Sequence, residues 1–314
     1  MSINNKISQK NVVIAMYKFV TLVDCNTLRT SLLDLCISQR LKGTILLAEE
    51  GINGTIAGGR TGIDNLKSYL RSDVRFSDIK YKESYVDEIP FYRMKVKLKK
   101  EIVSMGINGL NPANTTGIKV DPDQWNELIS DPEILLIDTR NQYEYKIGTF
   151  RNAISPNTNT FREFPSYVEK ELNNVKQKKI AMFCTGGIRC EKASAYLINQ
   201  GFQQVYQLNG GILKYLENIS SEKNLWQGEC FVFDGRVSVD EQLNEGRYEQ
   251  CFACRMPLSE QDRKSEYFEQ GISCPHCYEN KSDEKRNSLK ERQKQVDLAK
   301  SRNKQHIGIP LSQK

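Results

Sequence analysis

The sequence predicts a multidomain protein that combines α+β and α/β architecture, and three observations carry that prediction. The first hundred residues order their candidate elements as β-α-β-β-α-β. The middle of the chain alternates apolar strands with helix-forming stretches, the signature of a parallel sheet. The last part carries two paired-cysteine knuckles and then a long polar, basic stretch. At 314 residues there is room for two or three domains, with boundaries expected at 1–110, 121–222 and 223–314.

In the first domain a strand is expected over 12–20, a helix over 28–40 and a second strand over 44–47. Gly51-Ile52-Asn53-Gly54 supplies turn residues, and Thr55-Ile56-Ala57 continues as the hairpin partner. A helix over 61–70 places Ile63, Leu66 and Leu70 on one face. This order predicts a ferredoxin-like sandwich. Residues 91–99 alternate cleanly, with Arg93, Lys95, Lys97 and Lys99 on one face and Met94, Val96 and Leu98 on the other. Two readings of the four cations stand. Lysines guard solvated edge strands, and cations beside Phe91 and Tyr92 also suit the backbone and bases of RNA. The RNA reading is preferred.

Residues 104–120, rich in Gly, Asn and Thr, read as a linker, and Asp121-Pro122 caps a new helix with proline at its first position. Further on, the apolar run Ile180 to Phe183 leads into Cys184-Thr185-Gly186-Gly187-Ile188-Arg189-Cys190, and Glu191 to Gln200 is helix-forming. A cysteine on a strand-to-helix turn meets the positive helix end and a fan of N–H groups from Thr185, Gly186, Gly187 and Ile188. Arg189 adds a fixed charge. Cys184 therefore reads as a nucleophilic thiolate, against the alternative of a buried structural cysteine.

Only four residues separate Cys184 from Arg189. Cysteine phosphatases use a longer loop that encircles a phosphate, whereas this tighter ring suits a single sulfur or a small oxyanion. The spacing resembles rhodanese domains, which carry a persulfide on the cysteine. The resemblance extends to Asp138-Thr139-Arg140, Glu144, Tyr145, Gly148, Asn152-Ala153-Ile154 and Tyr206-Gln207-Leu208-Asn209-Gly210-Gly211. The histidine usual after the glutamate is absent, since Gly148 is followed by Thr149, and the aromatic near the end is Tyr215. Neither departure is expected to disturb the fold. Cys190, one turn on, is either a packed first-turn cysteine or a thiol that resolves a persulfide as a disulfide.

Several classes of function are excluded. No run of about twenty apolar residues exists to span a membrane, and Met1-Ser2-Ile3-Asn4-Asn5-Lys6 lacks the regions of a signal peptide. Nine cysteines, an odd number, fit a reducing compartment, so the cytoplasm is expected. The two histidines, His276 and His306, leave no basis for a two-His-one-carboxylate iron centre or a Cys-His dyad. No Gly-x-Gly-x-x-Gly follows a strand, and neither an NAD nor a flavin site is visible. Net charge is +6, and residues 281–314 carry ten Lys and Arg against four acids, leaving the remainder balanced. That stretch, with Lys285, Arg286, Lys290, Arg292 and Lys294, is either a solvated basic helix or a polyanion-binding one.

Trp226 to Asp234 is expected to return as a strand, with Cys230, Cys25 and Cys36 as small packed residues. Cys251-x2-Cys254 and Cys274-x2-Cys277, nineteen residues apart, have the spacing of a tetrahedral zinc site, with redox dithiols as the alternative. Four cysteines would close such a site and make it structural. His276 is read as a bystander.

Four segments together point to a narrower family: Leu46 to Thr55, the Cys184 loop with Glu191-Lys192-Ala193-Ser194, Gly228 to Asp234, and the cysteine knuckles. The chain resembles the bacterial tRNA uridine hydroxylases with a central rhodanese domain. The resemblance implies oxygen-dependent conversion of wobble uridine 34 in tRNA to 5-hydroxyuridine, with molecular oxygen as co-substrate and a reductant it does not identify. It carries Cys184 over as the persulfide-type cysteine and Arg189 as its electrostatic support. Either the Cys184 thiolate adds to uridine C6, or a sulfur–oxygen species on Cys184 delivers oxygen. The competing classes are a rhodanese-type sulfurtransferase served by a sulfur donor, and a non-catalytic RNA or protein adaptor.

Overall fold

The structure is a computed structural model that describes residues 10–302. The N-terminal domain runs β1 (Asn11–Phe19), α1 (Cys25–Ser38), β2 (Lys42–Ala48), β3 (Gly51–Gly58), α2 (Arg60–Ser72), β4 (Tyr81–Val86) and β5 (Met94–Leu98). Its sheet has the order β4-β1-β3-β2-β5, with β5 parallel to β2 and the other pairs antiparallel. The first four strands with α1 and α2 form the expected ferredoxin-like sandwich, and β5 is an added edge. Alternation sends Val12, Ile14 and Met16 of β1 into a core with Leu28, Leu32, Ile63, Leu66 and Leu70 of the helices. The opposite face is mixed, with Val13 and Ala57 buried and other positions partly exposed. It carries Tyr17 opposite Asn53, Ala15 between Thr55 and Lys82, and Thr44 opposite Lys95.

Two details differ from the sequence reading. Gly51 to Gly54 belong to β3, and the hairpin turns at Glu49–Glu50, because fully buried Ile52 pairs with Lys18 and extends the strand back. The fourth core strand is β4, while residues 94–98 are the fifth, with Arg93 and Lys99 beyond its ends. No residue of β4 is fully buried, so its apolar period is absent from the sequence.

The second domain runs β6 (Ile118–Val120), α3 (Pro122–Ser130), β7 (Ile134–Asp138), α4 (Gln142–Ile147) and β8 (Gly148–Phe150). It continues through α5 (Phe164–Tyr167), β9 (Lys179–Phe183), α6 (Ile188–Asn199), β10 (Val205–Leu208), α7 (Gly211–Asn218) and β11 (Trp226–Gly228). The sheet β6-β10-β9-β7 is parallel throughout. The returning strand β11 pairs antiparallel with β8 and places Trp226 opposite Phe150. Phe150 then meets Phe183, Tyr215 and Trp226 edge-on at centroid distances of 4.8, 4.7 and 5.2 Å.

The segment read as a linker is structured: Ile118–Val120 is a strand, and Met105 and Leu110 are buried in the second core. Its Gly and Asn content hides these few apolar anchors. Pro122 opens α3 as expected, but Asp121 makes no side-chain cap. Its carboxylate accepts hydrogen bonds from Asn209 (2.7 Å) and Lys214 (2.9 Å) instead.

These two domains lie in one unit extending to Phe231, with Glu241–Leu243; Val232–Asp240 and the residues from Asn244 form a second unit. In the second unit Glu249–Gln250 pairs with Pro257–Leu258, followed by α8 (Glu260–Lys264) and α9 (Asp283–Ser301). Ser282 caps α9 through Lys285 N–H. Arg292 donates to the carbonyls of Phe252 (3.0 Å) and Gly271 (2.9 Å), and Arg286 stacks 4.3 Å over Tyr278. Two of the basic-stretch arginines thus anchor the helix, whereas Lys285, Lys290 and Lys294 are exposed. His306 and the last charges of the tail lie outside the described residues. Among the described residues no helix is long and apolar enough to cross a membrane.

Candidate functional site

Cys184 follows β9 directly and is 1% exposed. Gly187, at φ +99°, turns the chain into α6, and its N–H reaches the Cys184 Sγ at 3.1 Å. Burial alone would raise the Cys184 thiol. The Cys190 thiol, the Arg189 charge and the backbone N–H groups of Cys190 and Gly187 outweigh it and hold Cys184 well below the ordinary cysteine value. Cys190 is pushed the opposite way, by burial and by Cys184 itself, and its sulfur lies 3.6 Å from Thr139 Oγ1. The two sulfurs are thus pushed in opposite directions, Cys184 towards the thiolate and Cys190 towards the thiol.

Arg189 does not face open space. It clasps Glu144 through two hydrogen bonds of 2.7 Å, both side chains being buried. Glu144 is fixed in turn at the start of α4, where its carboxylate accepts the Asn141 N–H at 3.0 Å. Behind it Arg140, fully buried, bonds Asp138 at 2.9 and 2.6 Å and the Gly148 carbonyl at 2.6 Å. Thr149, at the position of the missing histidine, donates to Asp138 at 3.0 Å. The segment Asn209-Gly210-Gly211 works by close approach. Two amides of the first turn of α7, Ile212 and Leu213, bond the carbonyls of Cys184 (3.0 Å) and Thr185 (3.1 Å). A Cβ on Gly211 would lie 2.4 Å from the Cys184 carbonyl oxygen. Cys230 is buried, its thiol pushed up to about 12 by that burial, as expected of a packed residue.

The sequence reading missed what the N-terminal domain brings to this loop. Lys82 of β4 donates its ammonium to the Gly186 carbonyl and lies 5.8 Å over the Tyr17 ring. Burial pulls that ammonium down to about 8, against the attraction of Cys184. Tyr17 donates to Glu191 at 3.2 Å. Lys192, buried, pairs with Glu50 (2.8 Å) and Glu101 (2.6 Å). Two of the segments behind the family resemblance, Leu46 to Thr55 and Glu191 to Ser194, therefore meet in space. The four cations singled out earlier are not at the loop. Lys95 and Lys97 are on β5, at the sheet edge opposite β4, and Arg93 and Lys99 flank them. Lysine 82 gave no signal of its own, being one charge among several in a polar strand.

Comparison with known proteins bears on both domains. Residues 11–102 match the UPF0176 acylphosphatase-like domain, and residues 121–218 match the rhodanese-like domain. The chain joins a UPF0176 N-terminal domain to a rhodanese-like domain. Among solved structures, a rhodanese-like domain from Anabaena sp. is 18% identical, over 35% of this chain and 78% of that one, with a TM-score of 0.29. A rhodanese-related protein from Thermoplasma volcanium is 22% identical over 32% and 91%, with a TM-score of 0.26. An acylphosphatase from Coxiella burnetii is 16% identical over 30% and 100%, with a TM-score of 0.24.

Beyond the rhodanese-like domain, Cys251, Cys254, Cys274 and Cys277 bring their sulfurs within 4.8 Å of one another. Zn–S bonds of about 2.3 Å require tetrahedral sulfur separations of about 3.8 Å. The Cys254–Cys274 and Cys274–Cys277 separations are both 3.6 Å. The four residues fit a zinc ion. Lys281 donates to the Cys277 sulfur. His276 turns instead to Asp262, 3.6 Å away, in keeping with a bystander.

Proposed function

We propose that the protein is a tRNA-modifying oxidoreductase that hydroxylates wobble uridine 34 to 5-hydroxyuridine, with Cys184 as its sulfur centre. The overall reaction consumes uridine, molecular oxygen and a two-electron reductant with two protons, and yields 5-hydroxyuridine and water. The observation that carries this reading is the composite site. A supported thiolate adjoins a sheet face bearing Tyr17, Lys82, Thr44, Thr55 and Lys95. Lys82 at the loop and Lys95 further along the same sheet face are cations suited to phosphate contacts with single-stranded RNA. Arg189 acts through Cys184, holding the thiolate while bound to Glu144. Cys251, Cys254, Cys274 and Cys277 would hold a zinc ion as a structural cross-link of the C-terminal unit and, as four protein ligands, would leave no open position for chemistry.

The second reading is sulfur transfer, favoured by the tight ring around Cys184 alone. One set of assays on purified protein separates the two. Anaerobic and aerobic incubation with unmodified tRNA and a dithiol reductant, followed by nucleoside mass spectrometry, should yield 5-hydroxyuridine only with oxygen and only with Cys184 intact. Rapid thiosulfate-to-cyanide turnover without any tRNA product would instead establish the sulfurtransferase.

A further inference from the structure

We propose that Lys82, supplied by the UPF0176 domain, is the anion-recognising residue of the Cys184 site, holding an anionic oxygen of the incoming molecule beside the sulfur. The inference deepens the reading of Cys184 as the reactive centre and rests on it. The loop's own arginine is bound bidentately to Glu144, so its geometry is fixed by a carboxylate. Lys82 has a different setting. Its ammonium makes one hydrogen bond to the Gly186 carbonyl, leaving further N–H groups on the same nitrogen. It stands 3.5 Å from where a Gly186 Cβ would be, over the half-exposed part of the loop.

The scaffold holds this nitrogen in place. Lys82 pairs with Ala15 in the β1–β4 ladder, so its side chain leaves the sheet on the same face as Tyr17. Tyr17 packs its ring under the ammonium and ties its hydroxyl to Glu191 on α6. Both strands therefore grip the loop at Gly186 and Gly187, where side-chain bulk is absent. Lys82 also feels Cys184 directly, since the thiolate raises its basicity against burial. A charge so placed attracts an oxyanion to the sulfur. The same chemistry is offered by a phosphodiester flanking a reacting nucleotide and by a small free oxyanion.

Charge selectivity of alkylation tests the idea on the full-length protein. Rates at Cys184 are read by peptide mass spectrometry with anionic iodoacetate and neutral iodoacetamide, and their ratio cancels any change in thiolate fraction. Lys82→Gln should lower the iodoacetate-to-iodoacetamide ratio about fivefold, and Lys82→Arg should retain it. A ratio unmoved by Lys82→Gln overturns the proposal while leaving Cys184 reactive. Failure of either reagent to label Cys184 in the wild-type protein overturns the reading beneath it. Protection by an anticodon stem-loop RNA that is lost in Lys82→Gln assigns the phosphodiester; Lys82-dependent protection by inorganic sulfate alone assigns the small oxyanion.

Discussion

Cys184 is a buried sulfur whose charge is held by few groups: the Cys190 thiol, Arg189, and the amides of Gly187 and Cys190. Each is separately removable. Because they favour the ionised form, the pH at which alkylation of Cys184 is half-maximal should lie below the ~8.5 of a free cysteine. Cys190→Ala and Arg189→Met should each move it upward, as stopped-flow alkylation followed by peptide mapping would measure. A midpoint unchanged in both variants would remove these groups from the account. Glu144 carries a second prediction. Glu144→Gln removes the bidentate carboxylate partner of the buried Arg189 guanidinium, and should lower unfolding free energy by about 3–5 kcal/mol in urea titration. Arg189 holds the Glu144 carboxyl below the usual range despite its burial. The pair's contribution is thus fully present above the unfolded value of ~4.3 and lost as pH falls through the lower folded value. The wild-type advantage over Glu144→Gln should accordingly shrink in acid.

At the scale of elements, the loop is set by what packs against it. The start of α7 reaches the Cys184 and Thr185 carbonyls only because Gly211 has no Cβ and adopts φ +68°. Gly211→Ala should cost about 1–3 kcal/mol and slow Cys184 alkylation together, because strain and loop displacement have one origin. Thermal unfolding with parallel alkylation kinetics would show it, and a variant stable but slow to alkylate would separate the two effects. Much of this was legible in the sequence. The β9–Cys184–α6 turn, Asp138-Thr139-Arg140 and Gly210-Gly211 all announce themselves, because strand, tight turn and helix are consecutive there. β4 was not legible, since an edge strand without a fully buried residue lacks the period-two signal. Residues 104–120 misled for a related reason: Met105 and Leu110 are isolated anchors in a loop-like composition.

At the scale of the molecule, the sequence separated parts that the fold brings together. Nothing local in Tyr17, Glu50 or Lys82 points to a loop more than a hundred residues away, because tertiary contacts between domains leave no periodicity. The cysteine knuckles are the opposite case, since their spacing carries the geometry with it. The purified chain should contain one zinc ion by plasma mass spectrometry. Cys274→Ser or prolonged chelation should abolish that content and lower the protease resistance of the segment from Asn244 onward. Full zinc occupancy in Cys274→Ser would place the ion elsewhere.

Cys184-dependent hydroxylation is tested most directly by the 5-hydroxyuridine content of tRNA from cells lacking this protein, complemented with wild type or with Cys184→Ser. The nucleoside should be lost in the deletion strain, recovered with wild type and not recovered with Cys184→Ser. Unchanged 5-hydroxyuridine in the deletion strain would contradict the hydroxylase assignment, and recovery with Cys184→Ser would contradict the role given to Cys184.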